Sequence, residues 1–321
     1  MKNFTFSYYP LIVVLLGFHV SACFQAKVTA EKSDGTYTIR IDEQAVFSYQ
    51  FEVLKVPLGE DSIYNRGGFV HPLRSLSGKI LTLIRPKDHL HHFGIWNPWT
   101  HTLFEGDTLD FWNLDKGEGT IVFDHFIKEE KDGFSAKLHH VVLKGGKYKN
   151  ALEEIQIYKV QPVDSKTYLV DFTSEYKTAS PSSFKILEYR YGGFTYRATQ
   201  EFDPGTLEVR SSVTAIRDSI DGKKADWCLV PGEIKGEAVS LLLMGHPDNF
   251  NAPQPLRVWP EGKHPERLMV NFAPTKFMDW KMEVGKDYKL KYRMVVSDRK
   301  MGEKDARRYF EEYQNLGNSI P

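Results

Sequence analysis

Residues Thr167 to Thr173 alternate without a break. Tyr168, Val170 and Phe172 face one way, and Leu169, Asp171 and Thr173 the other. Side chains on an extended chain point to opposite faces with a period of two, so this pattern describes a strand buried on one side. The pattern recurs along the chain. Thr36 to Ile41, Ala45 to Phe51, Gly119 to Phe126, Phe134 to Leu143 and Leu152 to Val160 read as strands. So do Phe184 to Tyr191, Thr206 to Ile216, Val239 to Met244, Leu268 to Phe272 and Tyr288 to Val296. Lys131-Asp132-Gly133 is a hairpin signal between two of them. Many strands broken by Gly, Pro, Asn or Asp predict an all-β sandwich or barrel. One helix is expected, over Glu303 to Asn315, because Ala306, Tyr309, Phe310 and Tyr313 fall on one stripe. No glycine-rich phosphate loop joins a strand to a helix.

The N-terminus has a different character. Lys2, an apolar run from Leu11 to Phe18 and small residues before Cys23 read as a secretory signal, with 1–22 removed. The run is too short to span a bilayer. Val20-Ser21-Ala22-Cys23 looks like a bacterial lipobox, which makes Cys23 the lipidation site and residues 23–35 a short tether. The expected organisation is then a β domain over 36–300 and a C-terminal helix and tail over 301–321. The expected location is the periplasm or outer membrane, with membrane contact through the lipid alone. Cys228 reads as a small buried hydrophobe; a Cys23–Cys228 bridge is the alternative. With 42 basic and 42 acidic residues the net charge is zero, which argues against a nucleic-acid partner.

Chemistry concentrates between Pro86 and Trp112. This stretch holds His89, His91, His92 and His101, Asp88 and Asp110, and Trp96, Trp99 and Trp112. Imidazole moves protons near neutral pH and ligates metals; aromatic faces are common in ligand clefts. If Asp88 to His92 were extended, His89 and His91 would face one way and His92 the other, unless Gly94 marks a bend. A second group is Glu188 to Arg197, where Glu188 and Arg190 share a strand face and Gly192-Gly193 suggests a bulge that re-aims Arg197. The competing reading is a solvated ion pair. A third group is the loop His246-Pro247-Asp248-Asn249 after a buried strand, against which stands ordinary turn chemistry. His71 joins from the segment Arg66 to Pro72.

At these residues the sequence resembles the PmoA-like ("methane oxygenase PmoA") family of Bacteroidetes and Planctomycetes, a domain of unknown function. The matching pieces are Phe69 to Pro72, Asp88 to Trp96, Asp110 to Trp112, Gly192 to Arg197, His246 to Asn249 and Lys291-Tyr292-Arg293. They span roughly Asp42 to Asp298. Leu90 and Phe93 stand where the family pattern has proline and arginine, and Leu256-Arg257 where it has Trp-His. Methane oxidation by the membrane enzyme of similar name needs several spanning helices, and no such segment follows the signal. The composition is closer to sugar-handling supersandwich proteins of galactose-mutarotase-like fold.

The expectation is therefore a carbohydrate-active β-sandwich performing acid/base chemistry on a sugar or glycoside, as hydrolase, lyase or epimerase. His91, His92, Glu188 and His246 are the candidate catalytic groups. His71, Asp88, His89, Trp96, Asp110, Trp112, Arg190, Arg197 and Asn249 are the candidate substrate contacts, with Trp96 and Trp112 stacking on the sugar. The two rivals are a non-catalytic glycan-binding lipoprotein and a metal-dependent oxygenase or hydrolase with histidine ligands. No cofactor is firmly implied, and a His-bound divalent metal stays open.

Overall fold

The computed structural model describes residues 1–2, 26–146, 148–261 and 268–315. The expected signal peptide, Cys23 and the tail beyond 315 lie outside the described residues. Two eight-stranded antiparallel sheets carry the fold. The first runs in the order Val28–Ser33, Thr36–Ile41, Gln44–Gln50, Phe69–Leu73, Ile95–Trp96, Thr195–Arg197, Met269–Phe272 and Leu256–Val258. The second runs Arg210–Ser211, Trp227–Ile234, Glu237–Gly245, Tyr288–Ser297, Thr167–Thr178, Lys149–Asp164, Gly133–Val142 and Gly119–Glu130. A small sheet joins Trp280–Met282, Phe184–Ile186, Thr102–Phe104 and Asp107–Leu109. The all-β sandwich with a C-terminal helix is the architecture expected from the alternation.

The inward residues of both large sheets make one core. Ile39, Phe47, Tyr49, Val70, Ile95 and Val270 of the first meet Leu138, Tyr158, Val170, Phe172, Leu243 and Met294 of the second. Alternation then sends the neighbouring side chains to two outer faces. On the first sheet, Phe69, Trp96 and Met269 form an outer cluster with Phe93, Trp112, Leu114 and Trp259. On the second, Trp227, Leu229, Leu242, Met244 and Val295 are covered by the helix Glu303–Asn315 through Ala306, Tyr309 and Tyr313. Phe310 of the expected stripe packs there partly buried. Asp305 accepts the Gly302 N–H at 2.9 Å and caps the first turn.

Three expectations are corrected. Residues 28–33 are not tether: Val28–Ser33 pairs with Thr36–Ile41 through Asp34-Gly35, whose φ of 48° and 73° suit a tight hairpin turn. The expected strand Thr206 to Ile216 shrinks to Arg210–Ser211. The Ser211 hydroxyl takes the Thr214 N–H, and Asp203 takes those of Gly205 and Thr206, so local turns outcompete the ladder. Phe184 to Tyr191 stays in the ladder only to Ile186, because Asp279 and the Thr275 carbonyl take the N–H groups of Glu188 and Tyr189. The strand Trp227–Ile234 has no expected counterpart. It is covered on both faces, by the core and by the helix, so its sequence does not alternate. Cys228 points into the core, where burial pushes its thiol up to about 12.

Candidate functional site

The outer face of the first sheet carries the histidines. Pro86 to His92 is not extended. The Pro86 carbonyl accepts the His89 N–H, the His89 carbonyl accepts the His92 N–H, and the His92 carbonyl accepts the Arg85 N–H. These successive turns gather all three imidazoles instead of splitting them between two faces. The ring centroids of His89 and His92 lie 4.7 Å apart and nearly parallel, with His91 at 5.6 Å and 4.9 Å from them. Gly94 closes the turn with φ of 57°, and a β-carbon there would lie 2.3 Å from the Val70 carbonyl oxygen. The bend anticipated at Gly94 is thus required by close backbone approach.

Beneath the histidines is an aromatic floor. Trp96 lies 5.2 Å from His92 and 5.1 Å from Trp112, and Trp259 lies 4.9 Å from His89. Trp96 and Trp112 are 1% and 2% exposed, so they support His92 rather than offer a face for a sugar. His92, itself 2% exposed, is part of the floor. Burial and the neighbouring His91, Arg197 and His89 charges push its pKa well below the ordinary histidine value. That burial removes His92 from direct proton exchange with a ligand in solution.

His89 and His91 remain half-buried. His89 Nδ1 donates to Asp88 Oδ2 at 2.6 Å, which leaves Nε2 as the ring nitrogen available for acid or base work. Burial alone would raise the Asp88 pKa. The His89 bond and the charges of His89 and Arg197 outweigh it and hold the carboxyl low. His91 is pushed down to about 4, first by burial and then by His89, with Arg66 adding to the shift and Asp115 and Asp110 opposing it. It is therefore neutral at pH 7. Arg197 is fully buried, with its guanidinium 4.7 Å from the Trp259 ring centre. Before it, Gly192 and Gly193 have φ of 140° and 87° and lie outside the strand, and a β-carbon at Gly193 would sit 3.0 Å from the Phe272 carbonyl oxygen, so the pair marks a close backbone approach. Asn271 fastens them, accepting from Gly192 N–H and donating to the Gly192 carbonyl.

Other expected contacts lie elsewhere. Asp110 is saturated: its carboxylate accepts the Trp112 and Asn113 N–H groups, the Asn113 amide and the Lys116 ammonium at 2.7–2.8 Å. It positions Trp112 and has no lone pair to spare for substrate. His71 shares the outer face but is bound to Thr82 Oγ1 at 2.9 Å, and burial and Arg74 lower it to about 4. Glu188 and Arg190 are exposed. The charged groups acting on His91 and His92 are Arg66, Arg197, Asp110 and Asp115, and Glu188 is not one of them. His246 is on the far side of the sandwich. Its ring meets Tyr313 of the helix at 5.1 Å, and its Nδ1 accepts the Asp248 N–H. Asn249 exchanges two hydrogen bonds with the Lys291 backbone. The loop is turn chemistry that anchors a strand end, so His246 and Asn249 do not join the histidine cluster.

A metal at the cluster would need imidazole nitrogens converging in their ring planes. The near-parallel, offset planes of His89 and His92 cannot share one ion. Among the described residues, no group of three His, Cys, Asp or Glu side chains is placed to hold a metal.

Several functional residues escaped the sequence reading. Trp259 and Tyr191 wall the site, with Tyr191 5.4 Å from Trp112 and accepting from Trp259 Nε1. Behind the floor lies a buried polar network. Glu154 Oε1 accepts from Asn97 at 2.8 Å, Ser174 at 2.7 Å and Gln156 at 3.0 Å, and Oε2 pairs with His140 Nε2 at 2.8 Å. Asn97 directly follows Trp96, so this network bolts the histidine-bearing segment to the second sheet. A signal for it existed: Glu154 and Gln156 have the parity of the core residues Leu152, Tyr158 and Val160.

A family model matches residues 36–311, described as a family of unknown function, DUF6807. The chain belongs to that family. No curated protein matches it in sequence. Among solved structures, it is similar to the GH36 α-galactosidase AgaA of Geobacillus stearothermophilus, with TM-score 0.40 and 9% identity over 85% of this chain and 41% of that one. It is also similar to the heparan sulfate lyase HepC of Pedobacter heparinus, with TM-score 0.38 and 7% identity over 87% and 37%. The proposed mutarotase YeaD of Salmonella typhimurium gives TM-score 0.35 and 10% identity over 85% and 94%. The chain spans about two fifths of the length of the galactosidase it matches.

Proposed function

We propose that this protein is a carbohydrate-active enzyme that performs acid/base chemistry on a sugar or glycoside. The observation that carries the reading is the Asp88–His89 pair beside the neutral His91. A sugar reaction at neutral pH needs one group that gives a proton and one that accepts it. His89, oriented by Asp88, takes the donor role in its protonated form. His91, kept neutral by burial, fits the acceptor. Arg197, buried beneath them, contributes a fixed positive charge that acts through Asp88 and His92 rather than by touching a ligand. This assignment moves the chemistry from His92, Glu188 and His246 to His89 and His91.

The test is a turnover screen on glycosides and free sugars with the wild type, His89→Gln, His91→Gln and His246→Gln. The first two are expected to lose roughly a hundredfold or more in rate, and His246→Gln to keep the wild-type rate. Equal turnover in His89→Gln and His91→Gln would remove the acid/base reading and leave a glycan-binding role.

We further propose export and lipid anchoring at Cys23. Cys23→Ala is expected to move the protein from the membrane fraction to the soluble fraction. An unchanged membrane fraction would end that proposal.

A further inference from the structure

A row of rings continues away from the histidines along the same face. Trp112, which touches His92 at 6.0 Å, lies 5.4 Å from Tyr191. Tyr191 lies 6.1 Å from Tyr189, and Tyr189 stacks on His101 at 4.0 Å with planes 20° apart. Unlike the buried tryptophans, Tyr191, Tyr189 and His101 are half-buried, and Arg190 between the tyrosines is exposed. Its guanidinium lies 5.9 Å and 5.2 Å from the two ring centres.

The row is held rigidly. The Tyr191 hydroxyl accepts from Arg257 and Trp259, and its carbonyl accepts from Thr100. The Tyr189 N–H is tied to the Thr275 carbonyl. Such fixed rings lose little freedom on binding, which is what a stacking platform requires. Beside them, the exposed Arg190 supplies donors, and among the described residues it forms no ion pair. Arg257 is neutralised by Asp221 and Lys116 by Asp110. Donors and flat apolar faces in one row match a polyhydroxylated chain. They do not match an anion, since Arg257 and Lys116 already hold carboxylates and leave only Arg190 of these three cations without one.

We propose that Tyr189, Arg190 and His101 form a second saccharide subsite, so that the ligand is an oligosaccharide reaching from His89 and His91 along this row. The proposal rests on the sugar reading above and goes beyond it in fixing the ligand as a chain.

The experiment is a glycan array of neutral and acidic monosaccharides and their oligomers, with calorimetry on the hits. A tetramer is expected to bind about tenfold more tightly than its monomer, the value of one good stacking contact. Tyr189→Ala is expected to erase that gain. His101→Asn, which tolerates the φ of 44° at that position, is expected to reduce it. Equal affinity for monomer and tetramer, or a full gain in Tyr189→Ala, would overturn the subsite while leaving the sugar reading standing. A tetramer preference limited to acidic chains would overturn the assignment of a neutral chain. Absence of binding to every saccharide would overturn both readings.

Discussion

Replacing Glu154 by alanine is expected to cost about 4 kcal/mol of stability. The carboxylate is fully buried and takes four donors, from Asn97, Ser174, Gln156 and His140. Alanine strands the Ser174, Gln156 and His140 donors where water does not reach, while the Asn97 amide keeps Ser174 and Tyr176 as acceptors. At about 1–1.5 kcal/mol for each of these three buried donors left unmade, the sum is about 4 kcal/mol. For a domain of this size about 4 kcal/mol corresponds to a fall in Tm of roughly 8 °C. Urea denaturation followed by tryptophan fluorescence measures it, and a cycle with His140→Ala isolates the share of the His140 contact. The pH dependence adds a sign. Burial raises the Glu154 pKa, but the His140, Ser174 and Asn97 bonds outweigh it, so the folded value lies below the ordinary one. Its contribution is then present above the unfolded pKa and is lost as pH falls through the folded value. Glu154→Gln should flatten that acid limb. A loss below about 1 kcal/mol in Glu154→Ala would refute the view that this network anchors the floor of the site.

His91 is expected to titrate near 4 in an NMR-monitored pH series, against 6.5 for an unperturbed histidine. Because the folded value is depressed, its contribution is complete above 6.5 and is lost as pH falls toward 4, and His91→Asn should shrink the loss of stability over that window. Titration at 6.5 would contradict the burial argument. Gly94→Ala is expected to destabilise by at least about 2 kcal/mol, since its β-carbon would meet a carbonyl oxygen that cannot move away. Thermal melting checks this, and a wild-type Tm would show that the turn is not tightly constrained.

The fold was legible wherever one face of a strand meets water. Thr167–Thr178 and Glu303–Asn315 announce themselves because polar and apolar positions alternate with the period of the element. Trp227–Ile234 did not, because both its faces are covered. The site was half legible. Side-chain chemistry picked out Asp88, His89, His91 and Arg197, but which histidines meet solvent depends on turns set by three backbone hydrogen bonds. Separating His246 from them required knowing that the strand before it, Glu237–Gly245, belongs to the second sheet, and sequence spacing carries no strand order. Trp259 stayed hidden for the same reason: the strand just before it, Leu256–Val258, reaches the site only through pairing with Met269–Phe272.

The most direct measurement is a crystal structure of the protein with a saccharide bound. A sugar hydroxyl within hydrogen-bonding distance of both the His89 and His91 imidazoles is the predicted result. A saccharide seated instead in the groove of Glu153, Glu175 and Asp287 on the second sheet, with the histidines untouched, would contradict the account.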